Sequence, residues 1–494
     1  MGTIKKLFGK YKALPVAAKA AAAYMMASLF TKGLGILTTP LFTRVMSSAE
    51  IGEFNTFSSW YSLISVVATL SLSSGVFSLA MFEFKEERDA YSSAMLGLSF
   101  ISSAIAGIIY VINPPFWNDL LKLNTPEVIV MIVAFFLIPA TEYRMVRLRF
   151  EYRYKALIAI SLTNAIVGTG LSIAAVLFCK YLNFENLAIP RVMGLYIVIC
   201  TMGLANGIFI IVKGKSIFNP KYWKFAIVNN TPIIANSLAN HVLETSDRLM
   251  ITNMIGKSQT GIYSTLYTAS TLPMIVIAAV NVNILPFNFE KLKNNEEHKI
   301  ADVVSPILFV IACVCLLLSL VAPEIVMILA TEEYYSAIYI MPPVACGIFF
   351  TSLSNLFGNI LLYHKKTYFI MISTVVAAAS NLAMNYFFIK QFGYFAAAYT
   401  TLISYIILAV MQFIFMKIVH RKRVYDIKFI VILSLALIAC SMLCLLLYPY
   451  AIIRYIVVAA LLVLAIIFRK KLIALFKTIK KKDNEDVQNA EGNA

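Results

Sequence analysis

Residues 303–322 read VVSPILFVIACVCLLLSLVA, twenty consecutive positions without a charged side chain. A helix needs about 20 mainly apolar residues to cross the hydrocarbon core of a bilayer, so this run predicts a transmembrane helix. The whole chain repeats the pattern, because 60% of its 494 residues are hydrophobic, only 14% are charged, and the mean hydropathy is +0.80. Soluble domains carry about 25% charged residues. The sequence therefore predicts an integral membrane protein.

The apolar runs are continuous rather than alternating, which favours helices over the strands of a membrane barrel. On the 20-residue scale the chain is predicted to be all-α, with about fourteen transmembrane helices. We expect these helices near residues 15–40, 55–80, 91–112, 126–143, 156–179, 190–212, 225–250, 261–286, 302–322, 337–362, 368–389, 394–416, 429–448 and 451–468.

Lysine and arginine are distributed unequally between the two sides of these spans. If the N-terminus lies inside, 32 of the 42 basic residues fall in inner segments, 7 in outer loops and 3 within helices. Cytoplasmic loops carry this excess, so the chain is predicted to be an inner-membrane-type protein with both termini in the cytoplasm. The net charge of +17 is then explained by topology and by attraction to anionic lipid, and we expect no nucleic-acid binding.

An internal repeat emerges when the chain is shifted by 209 positions, which lays the first predicted helix on the seventh. The aligned pairs are Ser28 with Ser237, Lys32 with His241, Thr43 with Thr252, Gly52 with Gly261, Phe54 with Tyr263, and Thr56 with Thr265. Six helices separate the copies, so both halves would insert the same way and face a central cavity. The predicted domains are a six-helix bundle over 1–215, a second over 216–420, a helix pair with a basic end over 421–482, and a disordered tail over 483–494.

Polar side chains share one face of the seventh predicted helix, within less than half of its circumference. Lipid cannot solvate such a face, and ionisable groups inside a membrane usually have a function. A milder polar stripe follows the first helix. We predict that both stripes line the cavity, where the substrate-binding residues would be Lys32, Arg248, His241, Asn240, Asn236 and Ser28. Glu244 and Asp247 would serve in ion coupling or in an ion pair.

A structural alternative stays open for these residues. Glu244 and Arg248 are four positions apart on a helix, a spacing at which they can form an ion pair that locks two helices together. His241 could in the same way hydrogen-bond a neighbouring helix. No nucleotide-binding loop, dinucleotide fingerprint or HExxH motif occurs, so we expect no enzyme, no cofactor and no metal site.

Three stretches resemble the polysaccharide-biosynthesis flippases. They are Lys32-Gly33-Leu34-Gly35 running through Pro40-Leu41-Phe42-Thr43-Arg44 to Ile51-Gly52-Glu53-Phe54, then Asp247-Arg248-Leu249-Met250-Ile251 with Thr260-Gly261-Ile262-Tyr263-Ser264, and Asn381-Leu382-Ala383-Met384-Asn385-Tyr386 with Phe392-Gly393-Tyr394-Phe395-Ala396-Ala397-Ala398. The resemblance is to the Wzx-type flippases for O-antigen or capsule repeat units. They belong to the multidrug/oligosaccharidyl-lipid/polysaccharide (MOP) exporter superfamily.

That resemblance implies a MATE-like, V-shaped pair of bundles. It also implies transfer of undecaprenyl-diphosphate-linked oligosaccharides from the inner to the outer leaflet, by alternating access coupled to an ion gradient or membrane potential. The last helix pair resembles that of the lipid II flippases. We expect membrane lipids, a glycan polymerase and other surface-polysaccharide assembly proteins as partners. A lipid II-type flippase, a multidrug antiporter of the same superfamily and, less in keeping with the short outer loops, a membrane glycan polymerase remain as alternatives.

Overall fold

In the computed structural model, the structure describes the backbone of residues 16–461 and of Val463. Side chains are described from Met26 onward, except those of Ser28, Lys32, Asn283 and Leu462. Over these residues the regular structure is entirely helical. The chain divides into two compact units, which meet in sequence between Ser264 and Thr265. The predicted bundle boundaries at 215 and 420 stay a prediction.

The first half of the chain contains eight helices. They are α1 (Val16–Val45), α2 (Ser48–Ala68), α3 (Gly75–Glu83), α4 (Arg88–Ile112), α5 (Pro114–Leu121), α6 (Thr125–Phe150), α7 (Tyr154–Tyr181) and α8 (Ala188–Gly214). The second half begins with α9 (Pro220–Met254), α10 (Lys257–Ser270), α11 (Pro273–Lys293), α12 (His298–Leu320) and α13 (Ala322–Leu329). A 3₁₀ helix (Glu332–Ile340) follows and leads directly into α14 (Met341–Tyr363), α15 (Thr367–Phe392), α16 (Phe395–Val419), α17 (Ile427–Leu447) and the short apolar α18 (Ala451–Leu461).

The order of elements repeats between the halves. Each half has a long helix, then a broken helix, a long helix, a short one of eight residues and three long helices. Ten helices of the described residues are long and apolar enough to cross a membrane, which confirms the all-helical membrane class. The count of fourteen stays a prediction. The last predicted helix, 451–468, lies partly outside the described residues.

The second helix of each half differs from the prediction, because it is broken. The predicted helix 55–80 is instead α2 and α3, and the predicted helix 261–286 is α10 and α11. Leu70 and Ser71 take positive φ angles of 54° and 45° at the first break, and Pro273 starts the helix after the second break. A hydropathy average detects neither feature, because the residues at the breaks are themselves mostly small or apolar.

The break between α2 and α3 leaves backbone carbonyls without helical partners, which is costly inside a membrane. Side chains from two other helices satisfy them. Ser102 on α4 donates to the carbonyl oxygen of Val67 at 3.2 Å, and Ser103 shares its hydroxyl proton between the carbonyl oxygens of Ala68 at 3.2 Å and Phe135 at 3.0 Å. Asn230 on α9 donates to the carbonyl oxygen of Leu70. The break is therefore a built element of the first unit.

Aromatic packing fills the first unit next to this break. Phe77 on α3 stacks on Tyr143 of α6, with ring centroids 4.8 Å apart. The hydroxyl of Tyr143 shares a 2.5 Å hydrogen bond with Ser99, so the ring is fixed at both ends. Stacked pairs add about 0.5–1.5 kcal/mol beyond the apolar area that they bury. The two half-helices are thus held by packing as well as by hydrogen bonds.

The second unit is organised around α14, which is largely buried and packs against α12, α16 and α17. At one end of the unit, Arg454 of α18 is 4% exposed and donates to the carbonyl oxygen of Leu320 at 2.9 Å and to Glu324 at 2.8 Å. Tyr455 donates to the other oxygen of Glu324 at 2.9 Å. Partial burial tends to raise the pKa of the Glu324 carboxyl, but these hydrogen bonds outweigh it and hold the pKa below its usual range.

We expect Arg454→Ala to loosen the attachment of α18, because it leaves Glu324 without its cation. Breaking a buried pair costs about 3–5 kcal/mol, and the partial exposure of Glu324 reduces this to about 2–3 kcal/mol. The melting temperature of the purified protein in detergent should fall by several degrees. Arg423→Ala is the matched control, because its pair with Asp426 is exposed at 3.4 Å and should contribute little. Equal melting temperatures for the two variants would contradict this account of α18.

Candidate functional site

Several polar side chains lie on one face of α9 in the first unit. At 35 residues this helix is long enough to cross a membrane, yet it is not apolar enough to count among the ten candidate spans. Asn236, Asn240 and His241 are half-buried on it, and Glu244 is exposed. Asn240 donates to the carbonyl oxygen of Asn236 at 2.9 Å, which leaves its own amide oxygen available to a further donor.

The remaining predicted site residues are Arg248, Ser28 and Lys32, and the structure describes the side chain of Arg248 alone among them. Arg248 lies half-buried near the end of the same face of α9. Ser28 and Lys32 lie in α1, which packs on α7, but their side chains are outside the described set. The grouping of all six residues in one binding site therefore stays a prediction.

Asp247 has a partner that the helical spacing did not predict. It is 2% exposed and accepts a hydrogen bond of 2.7 Å from the hydroxyl of Tyr263 on α10. Tyr263 is itself fully buried. The carboxylate thus ties the end of α9 to the start of α10 across the short connection between them.

The first turns of α2 and α10 cross in direct backbone contact at two glycines. A Cβ on Gly52 would collide with the carbonyl oxygen of Lys257, and a Cβ on Gly261 would collide with the carbonyl oxygen of Ser48. Lys257 and Ser48 are 209 positions apart, as are Gly261 and Gly52. The contact is therefore reciprocal, as at a twofold axis, and it relates the residues that the sequence repeat had aligned.

Hydroxyl groups extend this contact along α2 and α10 and to Thr252 at the end of α9. Ser48 and Ser258 share a hydrogen bond of 2.8 Å, Thr56 and Thr252 one of 2.7 Å, and Thr252 and Thr260 one of 2.8 Å. Small residues allow helix backbones to approach closely, and their hydroxyls bond across the interface. We refer to residues 48–56 and 252–261 as the α2–α10 junction.

A buried carboxylate within the α2–α10 junction binds donors from three other segments. Glu53 is 5% exposed, and its oxygens lie 3.1 Å from the Lys257 ammonium, 2.7 Å from the Asn124 amide nitrogen and 3.2 Å from that of Asn186. The segments that carry these residues are all predicted to lie on the outer side. Glu53 thus joins the connections between helices at that end of the first unit.

Two acidic residues of α6 were missed from the sequence. Glu127 is 1% exposed beside Glu53, and Glu142 lies one residue before the buried Tyr143, where its carboxyl interacts with the Ser73 hydroxyl at the α2–α3 break. Both lie near the ends of the predicted fourth span, where a charged residue is usually attributed to the membrane surface. The sequence did contain a signal for Glu127, because Asn124 and Glu127 have the spacing of a capping box at a helix N-terminus.

A polar network in the second unit connects two adjacent helices. On α15, Asn385 donates to Asn381 at 3.0 Å and accepts from Thr400 of α16. Asn381 also donates to Thr401 at 3.4 Å. All four residues are buried. No group of three or more metal-ligating side chains occurs within the described part of the chain.

A second polar cluster of this unit lies at the end that is predicted to face the cytoplasm. The rings of His364 and His420 share a hydrogen bond of 3.1 Å, and Glu297 accepts from Lys422 at 2.9 Å. Burial and the neighbouring His364 lower the pKa of His420, whereas the bond from Lys422 lowers that of Glu297. The lowered pKa favours the neutral form of His420 at neutral pH. The cluster lies at the ends of three helices, α12, α14 and α16.

Comparison with known proteins places these features in context. The sequence profile described as polysaccharide biosynthesis protein matches residues 17–292. A protein of the archaeon Haloferax volcanii, named "Probable low-salt glycan biosynthesis flippase Agl15", is 22% identical over 399 residues, which are 78% of this chain and 80% of that protein.

Solved structures show the same fold. The lipid II flippase MurJ in an inward closed conformation has a TM-score of 0.68 at 15% identity, over 90% of this chain and 99% of that one. An inward-facing multidrug resistance MATE family transporter of the MOP superfamily has a TM-score of 0.58 at 13% identity, over 81% and 97% of the two chains. A MOP superfamily transporter from Pyrococcus furiosus has a TM-score of 0.55 at 15% identity, over 81% and 95%.

We expect Gly52→Ala to separate α2 from α10, because the added methyl group has no space against the Lys257 carbonyl. Overpacking a tight contact costs about 1–3 kcal/mol. Hydrogen exchange at residues 48–56 should therefore rise about tenfold or more relative to the native chain. Gly170→Ala in α7 is the control, because a Cβ there meets open space. Unchanged exchange in Gly52→Ala would show that the glycine contact does not hold the α2–α10 junction.

Proposed function

Because a sequence profile covers more than half of it, the chain belongs to the polysaccharide biosynthesis protein family, and we propose that it is a flippase for lipid-linked oligosaccharides. Its fold is that of the MOP superfamily, as the sequence motifs predicted. The substrate that we propose is an undecaprenyl-diphosphate-linked repeat unit, moved from the inner to the outer leaflet for surface polysaccharide assembly. The glycan flippase from Haloferax volcanii supports a glycan cargo.

The observation that carries this proposal is the polar face of α9. A 35-residue helix with half-buried Asn236, Asn240 and His241 cannot face hydrocarbon without a large cost in free energy. Amide groups and an imidazole suit the hydroxyls of a sugar, because they donate and accept hydrogen bonds at once. We propose that this face, with Ser28 and Lys32 of α1, lines the path of the glycan.

Cationic side chains would bind the diphosphate. Arg248 presents a planar fork that matches phosphate oxygens, and Lys32 provides a point charge on α1. In this proposal His241 adds a third donor, and Glu244 and Asp247 couple an ion or balance the charge of Arg248. The bond from Tyr263 to Asp247 links that balance to α10, which takes part in the α2–α10 junction.

The α2–α10 junction supports an alternating-access mechanism. Two short helix starts that meet through glycine backbones and hydroxyls can separate without exposing a large apolar surface. We propose that the α2–α10 junction closes the outer side and opens to release the glycan, in a cycle driven by an ion gradient or the membrane potential. The two six-helix bundles predicted over 1–215 and 216–420 would move against each other. The helix pair predicted over 421–482 extends beyond the described residues.

Two other cargoes are the alternatives within this fold. A lipid II-type cargo is one alternative, because a lipid II flippase shares this fold. A multidrug antiporter is favoured by fold likeness alone. We place the protein in a bacterial inner membrane with both termini in the cytoplasm, as a transporter without catalytic activity that works beside membrane lipids, a glycan polymerase and other assembly proteins.

We expect Arg248→Ala and Lys32→Ala each to lower the rate of lipid-linked oligosaccharide flipping in proteoliposomes by about tenfold to a hundredfold. A hydrogen bond to a charged group contributes about 1.5–3 kcal/mol, which corresponds to that range. Arg421→Ala is the control, because Arg421 is exposed in the connection between α16 and α17. Native rates in both variants, with normal insertion, would refute the assignment of these cations to the cargo.

A further inference from the structure

The surroundings of Glu53 contain more carboxylate than cation. Glu53 and Glu127 are both buried. The Lys257 ammonium forms an ion pair with Glu53 at 3.1 Å. Asn124 holds the two acids together, since its backbone N–H donates to Glu127 at 2.9 Å and its side chain to Glu53 at 2.7 Å. A second ionised carboxylate at this position would be a buried charge without a counter-ion, which is strongly unfavourable.

The oxygens of the two acids are not equally satisfied. Both oxygens of Glu53 accept hydrogen bonds or an ion pair, and Glu127 Oε2 accepts from the Asn124 backbone. Glu127 Oε1 is buried without a hydrogen-bond partner among the described residues. A carboxyl oxygen in this state is stabilised by a proton, which removes the charge and makes the oxygen a donor toward Glu53.

Several other charged groups at this end already have partners of their own. Glu50 accepts from the backbone N–H groups of Ser47 at 2.8 Å and Leu187 at 2.6 Å. The Arg191 guanidinium lies over the Phe42 and Phe54 rings. Lys180 donates to the Val45 carbonyl oxygen at 2.9 Å, and Lys122 pairs with Asp119 at 2.7 Å on the surface. None of these contacts neutralises Glu127.

We infer that Glu127 and Glu53 form a proton-binding carboxyl pair, which holds one proton while the α2–α10 junction is closed. A metal cation fits less well, because Glu53 already faces the Lys257 ammonium and two amide N–H groups. The single remaining oxygen of Glu127 cannot supply the several oxygen ligands that a hard cation takes, whereas a proton needs one.

Opening of the α2–α10 junction would remove the contacts that favour a protonated Glu127. Lys257 starts α10 and Glu53 belongs to α2, so their separation breaks the ion pair and admits water to both acids. The hydrated Glu127 can then release its proton to the outer side. Closure requires the proton to return, so the closed state is favoured at low pH and weakened as pH rises. This inference rests on the opening of the α2–α10 junction proposed above, but not on the identity of the cargo.

The test is hydrogen exchange at residues 48–56 in the full chain reconstituted in lipid nanodiscs, without substrate. Exchange is measured between about pH 5.5 and 8.5 and corrected for the intrinsic chemistry of the amide. We expect native protection to fall with pH, by up to about tenfold per unit, which is the limit for one linked proton. Glu127→Gln keeps the acceptor for Asn124 but needs no proton, so its protection should stay high and flat.

Asp119→Asn is the matched control, because it removes a carboxylate from the same end whose partner is a surface lysine. It should reproduce the native pH dependence. A flat native profile would overturn the inference, and so would a Glu127→Gln profile that falls as steeply as the native one. The native profile decides alone if Glu127→Gln does not insert. No cargo is present in this experiment, so its result does not depend on the identity of the cargo. If the exchange depends on pH as expected but the protein does not flip lipid-linked oligosaccharide in proteoliposomes, the proposed function is wrong and the proton site stands.

Discussion

The close backbone contact between α2 and α10 constrains the rest of the first unit. There is no space for a Cβ at Gly52 or Gly261, so the two helix starts approach more closely than residues with side chains would allow. The hydroxyl pairs, the Asp247–Tyr263 bond and the Glu53–Lys257 ion pair all depend on that approach. Few of these contacts are apolar, so the α2–α10 junction is specific in geometry without being held by a large hydrophobic surface.

The α2–α10 junction also connects the polar face of α9 to charged groups at the end of the unit. Asp247 lies one residue before Arg248, and its partner Tyr263 belongs to α10. A movement of α10 therefore changes the surroundings of the predicted cargo-binding cation and of the buried carboxyl pair together. Two sites are coupled when an element that contacts both has two arrangements, and the state of each site changes the equilibrium between those arrangements. In the proposed transport cycle, α10 is that element.

Much of this architecture was predictable from the sequence. Composition and the length of the apolar runs predicted the helical membrane class, and the 209-residue offset aligned the two glycines that meet in the structure. The motifs around Gly52 and Asp247 predicted the family. These signals are local or periodic, so the sequence carries them without a structure.

The remaining features depend on tertiary contacts. The α2–α3 break is stabilised by Ser102, Ser103 and Asn230, which are distant in sequence. Glu53 and Glu127 become a pair only when Asn124 bonds both of them. Helical spacing could not show the hydrogen bond that Asp247 accepts from Tyr263, because Tyr263 lies on a different helix, α10.

The most direct test of the central claim is a cross-link across the α2–α10 junction. Ser48 and Ser258 have hydroxyl oxygens 2.8 Å apart, so Ser48→Cys with Ser258→Cys should form a disulfide on oxidation. Flipping of lipid-linked oligosaccharide should then stop in the oxidised protein and return on reduction. If the cross-linked protein flips its cargo at the native rate, the α2–α10 junction does not open during transport and the proposed mechanism is wrong.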